Sequence, residues 1–183
     1  MSIDLPGHSA PAAGFEVPLA MLSACHYCIE HQCATLRRLI AHLPTHGADT
    51  EARTAANAVM RYFDTSAKQH HIDEEIDLFP ALIESMAGSD AVCLRGMTDR
   101  LTADHRELDA HWQRLRIGLE RVVAGDSVSL RAADVEALVS LYEQHINSEE
   151  RELLPMAARL LSDDALERIG RAMRKRRGIE PLA

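Results

Sequence analysis

Apolar residues recur along this chain at alternating steps of three and four, the spacing of one buried face of an α-helix. Leu19, Leu22, His26, Ile29, Cys33, Leu36, Ile40 and Leu43 make the first such seam. Pro18 suits a first helical position, and Thr45-His46-Gly47 predicts the stop. A second helix is predicted from Asp49 or Thr50, with Ala56, Val59, Phe63, His70 and Glu74 inward. A third, after a break at Gly88-Ser89, carries Leu101, His105, Leu108, Trp112, Leu115, Leu119 and Val122. Residues 124–129 (AGDSVS) read as a turn, and a fourth helix then presents Val135, Leu138, Tyr142, His145, Glu149 and Met156. A short fifth helix is predicted from Asp163 towards Arg174, with Ser162 as its N-cap. Pro80 and Pro155 each remove a backbone donor, so helices two and four are expected to kink or change pitch there. The expected organisation is all-α: a flexible Pro-, Gly- and Ala-rich segment 1–17, a bundle 18–161, and a short helix with a basic tail over 162–183.

Composition narrows this further. The 183 residues can bury a core without disulfide staples, and the low aromatic content, 4%, favours helices over sheets. A formal charge of −8 argues against nucleic acid or an anionic membrane as partner. The run Arg174-Lys175-Arg176-Arg177 is expected to be a solvated tail at the negative end of a helix. The first residues carry an acid where a signal peptide needs bases, and no stretch approaches a membrane span, so a cytoplasmic location is expected. In that compartment Cys25, Cys28, Cys33 and Cys93 read as reduced thiols; Cys25-x-x-Cys28, inside a helix, is a core pair in preference to a redox or metal site.

The chemistry lies in a repeat. HHIDEEIDLFP at 70–80 and HINSEERELLP at 145–155 share His-x-x-x-Glu-Glu and a closing proline without a gap. A second pair precedes it: His26 recurs as His105, 79 residues on, while His70 recurs as His145, 75 residues on. The chain therefore reads as a duplicated helical hairpin, each half offering two histidines and one glutamate. A His and a Glu four apart share one helix face. His26, His70, His105 and His145 fall on the seams, where an unpartnered imidazole is a buried polar cost. Glu74 and Glu149 fall there too, and a glutamate is almost never fully buried without a partner or metal. His31 and His111 lie about 100° or more off their seams; His8, His42 and His46 lie in the tail or near a helix end, and His71 borders a seam. Glu75 and Glu150 point about 100° away and are expected to leave metal occupancy untouched. Imidazole and carboxylate together suit iron, with manganese or zinc close behind. No HExxH motif is present, and no histidine has an acid three residues before it, which disfavours the zinc-protease helix and the ferritin-like di-iron bundle.

These motifs resemble the hemerythrin-like family, the HHE cation-binding domain, over roughly residues 18–160. The resemblance implies an antiparallel up-down four-helix bundle holding two irons. Its metal ligands would be His26, His70, Glu74, His105, His145 and Glu149, with both glutamates and an oxo or hydroxo group bridging. Oxygen-carrying hemerythrins have a further histidine four residues after the third-helix ligand; here that position is Asp109, and its mate in the first half is Glu30. The four-His, two-Glu set is similar to the repair-of-iron-centres branch, whose N-terminal cysteine-bearing domain is not expected here. More open coordination positions imply reactivity with, or sensing of, O₂, NO or peroxide, with iron sensing or storage without turnover as the alternative. The expected partner is thus a small diatomic or peroxide; a protein partner is not indicated. Asp109 is left three roles: a direct ligand, a proton-steering group, or a partly exposed acid at a helix flank. Tyr142, one turn before His145, is either beside the metals or a plain core tyrosine.

Overall fold

The computed structural model describes residues 14, 17–86, 89–126 and 130–179. The predicted break at Gly88, the second half of the 124–129 turn and most of the segment 1–17 lie outside them. Among the described residues every element is helical. Helix α1 (Pro18–His46) carries Pro18 in its first turn and ends where Gly47 takes a positive φ of 68°. The next arm starts with α2 (Thr50–Asp64), capped by Asp49, whose carboxylate accepts the backbone N–H of Ala52 at 2.9 Å. It continues through α3 (Ser66–Ile72), a π-helical turn at Asp73–Leu78 and α4 (Phe79–Glu84). Helix α5 (Ser89–Ala124) is the third arm. The fourth is α6 (Ala132–Ser148), a π-helical turn at Glu149–Leu153, and α7 (Leu154–Leu160). Helix α8 (Asp163–Arg176) closes the chain, with Ser162 accepting the N–H of Ala165.

The four arms form an antiparallel bundle in which α1 packs on α2, α2 on α5, α5 on α6 and α6 back on α1. Their inner faces build two apolar layers. One contains Ile29, Leu36, Phe63, Leu108, Trp112 and Leu138; the other contains Leu22, Leu78, Leu101, Leu153, Ile169 and Met173. Helix α8 closes the second layer with Ile169 and Met173. Each fully buried aliphatic side chain contributes about 1.5–3 kcal/mol. On every arm the polar seam residues fall between the layers: His26 between Leu22 and Ile29, His105 between Leu101 and Leu108.

The change of pitch at the two prolines takes a specific form. Pro80 and Pro155 have no N–H to return to the carbonyls of Ile76 and Arg151. The N–H of Phe79 reaches back five residues to Glu74, and that of Leu154 five residues to Glu149. Each turn thus gains one residue, and each wide turn begins at the seam glutamate or one residue before it. π-turns inside α-helices concentrate at functional sites.

Three expectations need correction. The extra residue in the second π-turn shifts the inner face, so Ala157 is buried and Met156 only half-buried. In α1, Leu39 takes the inward position and Ile40 is half-buried, because a strict 3–4 alternation drifts against 3.6 residues per turn over a long helix. The basic tail is not simply solvated: Arg176 and Arg177 both bind the fully buried carboxylate of Asp73 in the first π-turn, and Arg176 also binds Asp77.

Candidate metal centre

The six seam residues, His26, His70, Glu74, His105, His145 and Glu149, converge in the layer between the apolar clusters, each at most 4% exposed. Their ligating atoms sort into two groups. His26, His70, Glu74 and Glu149 form one, and His105, His145, Glu74 and Glu149 the other; within each, one donor atom per residue lies within 4.8 Å of all the rest. The glutamates belong to both. Oε1 of Glu74 stands 3.2 Å from Nε2 of His70, while its Oε2 stands 3.3 Å from Nε2 of His105. Glu149 does the same in mirror fashion, Oε2 lying 3.0 Å from Nε2 of His26 and Oε1 3.2 Å from Nε2 of His145. Each carboxylate therefore spans two positions, and each position is offered two imidazole nitrogens and two carboxylate oxygens from the six; at the second, His71 adds a third imidazole, its donor atom lying within 4.8 Å of those of His105 and His145 and its Nε2 buried without a hydrogen-bond partner.

Whether this set suits a cation is decided by its own atoms. Both oxygens of Glu74 and of Glu149, and Nε2 of His26 and His70, are buried without a hydrogen-bond partner, although they stand 3.0–4.0 Å apart. The contacts are close but aimed at a common centre, not along hydrogen-bond axes. Nε2 of His105 and Nε2 of His145 face each other at 3.1 Å. Leaving one such carboxylate buried and unpaired costs several kcal/mol, which a cation offsets. Nitrogen and oxygen donors in this ratio suit iron, manganese or zinc.

The electrostatics agree. Burial, then the charge of Glu149, pushes the Glu74 carboxyl well above its usual range. Burial acts the same way on Glu149, but the close imidazoles of His145 and His26 outweigh it and hold that carboxyl low. Burial by itself lowers His26; the carboxylates of Glu149, Glu74 and Glu150 overcome it and raise the imidazole to about 9. Burial, aided by the charge of His26, holds His70 well below its ordinary value. Without a cation the cluster retains protons; with one they are displaced.

Outside the six, two residues expected to be bystanders are not. Glu150 accepts the Nδ1–H of His26 at 2.6 Å, and Glu75 accepts that of His105 at 2.7 Å. The geometry is reciprocal: the second glutamate of each motif crosses to the other half of the duplication and fixes a histidine there, leaving Nε2 as the lone-pair nitrogen. The doubled Glu-Glu was the available signal. Asp104 stands 3.5 Å from Nδ1 of His145. His71, open in the sequence, stacks on His105 with ring centroids 4.0 Å apart and planes 9° from parallel. Asp109 is exposed and accepts a hydrogen bond from Gln113 at 3.2 Å; neither it, Glu30, His31 nor His111 joins a metal-holding group among the described residues. Tyr142 belongs to the core, against Phe63 at 5.5 Å.

Fold and site together define a helical-bundle protein with a buried, two-position His/carboxylate cluster. Comparison with known proteins gives the same class. The hemerythrin HHE cation-binding domain matches residues 17–157, and the chain belongs to that family. An uncharacterized protein of Haemophilus influenzae is 30% identical over 168 residues, covering 92% of this chain and 94% of that protein. No helix among the described residues is long and apolar enough to cross a membrane.

Proposed function

We propose that this chain is a cytoplasmic di-iron protein that reacts with or senses O₂, NO or peroxide. His26, His70, Glu74 and Glu149 would hold one iron, and His105, His145, Glu74 and Glu149 the other. The observation that carries the reading is the pair of buried carboxylates, each with one oxygen towards each histidine pair. When bound, the irons, with an oxo or hydroxo bridge, supply redox chemistry and open coordination positions. The protein's own residues do the rest. Glu150 and Glu75 orient His26 and His105, the two apolar layers exclude water, and the π-turns set Glu74 and Glu149 at matching depth.

The test is anaerobic addition of NO or peroxide to the iron-loaded protein. Stoichiometric spectral change with NO, or turnover with peroxide, is expected. An inert spectrum with both irons retained supports iron storage instead.

A further inference from the structure

Three of the four seam histidines have a carboxylate at the outer ring nitrogen. Glu150 accepts from His26, Glu75 accepts from His105, and Asp104 faces Nδ1 of His145 at 3.5 Å. His70 is the exception, its Nδ1 buried with no hydrogen-bond partner. The duplication shows what stands in that place. The 79-residue step that carries His26 to His105 also carries Cys25 to Asp104 and Cys28 to Glu107. The histidine pairs match across the halves, with ring centroids 4.8 Å apart for His26 and His70 and 4.7 Å for His105 and His145. Cys25 therefore takes, on the His70 side, the place from which Asp104 faces His145. The surroundings of its thiol agree. Burial pushes it up to about 11; the charge of Arg177 opposes this, and those of Cys28, Asp73 and Glu74 add to it. The thiol thus lies beside the first π-turn, close to a bridging glutamate.

A second thiol stands next to it. Cys25 and Cys28 are both free and half-buried, not the core pair that the sequence suggested. Three residues apart on a helix, their Cα atoms are about 5 Å apart, within the roughly 4.4–6.8 Å that a disulfide spans. Cys33, five residues further, lies about 7.5 Å along the axis and out of reach. The Tyr62 hydroxyl donates to the carbonyl of Cys25 at 3.2 Å, tying this turn of α1 to α2.

We infer that Cys25 and Cys28 are the built-in electron donor of the centre, delivering two electrons through His70. This rests on the di-iron reading and supplies the reductant of its peroxide cycle. Two S–H bonds break, one S–S bond forms, and two protons and two electrons leave; the electrons return two ferric ions to ferrous. With hydrogen peroxide as oxidant, two thiols and one peroxide give one disulfide and two waters. The mates Asp104 and Glu107 are carboxylates and cannot do this, so the donor serves one side of the duplication. Burial raises both thiols, which keeps them protonated and slow towards oxidants in bulk water. Their oxidation therefore comes from the centre. Cys28 lies further round α1 from the seam, where a thiol reductant from outside reaches it to restore the pair.

The test uses the full chain with its thiols reduced, loaded without oxygen with either ferrous iron or zinc, and given one equivalent of hydrogen peroxide. Alkylation and peptide mass spectrometry read the disulfide, and absorption reads the ferric state. The iron-loaded wild type should form one Cys25–Cys28 disulfide per chain as its ferric absorption fades, while the zinc-loaded chain keeps both thiols. Cys28→Ser should keep two irons and hold the ferric absorption at least tenfold longer, with Cys28→Ala in its place should that variant fail to fold. Cys33→Ser should behave as the wild type. An equal yield of disulfide in the zinc-loaded chain, or ferric absorption that fades as fast without Cys28, overturns the inference while leaving the metal reading intact. Failure of the wild-type chain to take up iron overturns the metal reading, and this one with it.

Discussion

Replacing the second glutamate of either motif tests how the histidines are held. Glu150→Ala removes the acceptor of the His26 Nδ1–H, and Glu75→Ala that of His105. Neither side chain offers an oxygen to the two metal positions, so each loss acts through an imidazole that is freed to rotate and becomes less basic at Nε2. Partners of ligating histidines typically contribute 10–100-fold in metal affinity. Glu150 is 39% exposed and Glu75 32%, so water replaces part of each bond. The lower part of that range follows, about 10–30-fold or roughly 1.4–2 kcal/mol. Competition against a chromophoric chelator resolves the stepwise constants. Glu150→Ala should weaken the position of His26 and His70, and Glu75→Ala that of His105 and His145, each leaving the other near wild type. Glutamine at either place should recover most of the loss, since its carbonyl still accepts. Wild-type constants in both variants would show that these bonds do not position the ligands, and losses as large as in Glu74→Ala would make Glu75 a ligand itself.

Further outcomes follow from the same contacts. Replacing Arg176 and Arg177 together by alanine strands the buried Asp73 carboxylate, which should cost about 3–5 kcal/mol and lower Tm by roughly 6–20 °C in a thermal melt. His26, raised from 6.5 to about 9, contributes stability to the metal-free protein that is complete below about pH 6.5 and lost as pH rises through 9. Metal needs the neutral imidazole, so uptake should release at least one proton below pH 9 and tighten across the same window, as calorimetry in buffers of different ionisation enthalpy reads. Asp109→Ala should keep both metals and react with NO within about twofold of wild type, because Asp109 is exposed and bonded to Gln113; loss of a metal equivalent would place it in the coordination sphere.

Much of the fold was legible because periodicity reports burial. The seams of α1, α5 and α6 run through Leu22, Leu108 and Leu138, all fully buried, and the same arithmetic, applied to all four arms, put six polar residues on the inner face. Caps at Asp49 and Ser162 and the stop at Gly47 were readable for local reasons, a side-chain acceptor and a positive φ. Register beyond the prolines was not, because seam counting assumes 3.6 residues per turn and the π-turns hold more, which moves Ala157 inward in place of Met156. Contacts between elements far apart in sequence were hidden for a different reason. Nothing local ties Glu75 to His105, Glu150 to His26 or Arg177 to Asp73; each needs the bundle to bring distant arms together. The interruption at Thr65, between α2 and α3, also left no trace in the seam, since Phe63, Ala67 and His70 remain inward across it.

Metal content measured by elemental analysis bears most directly on the di-iron reading, made on protein produced with iron in its own host and on a Glu74→Ala/Glu149→Ala double variant. Two iron equivalents per chain are expected in the first. The double variant should remain helical by circular dichroism and hold less than one. A folded wild-type chain without metal, or a double variant that keeps both equivalents, would contradict it.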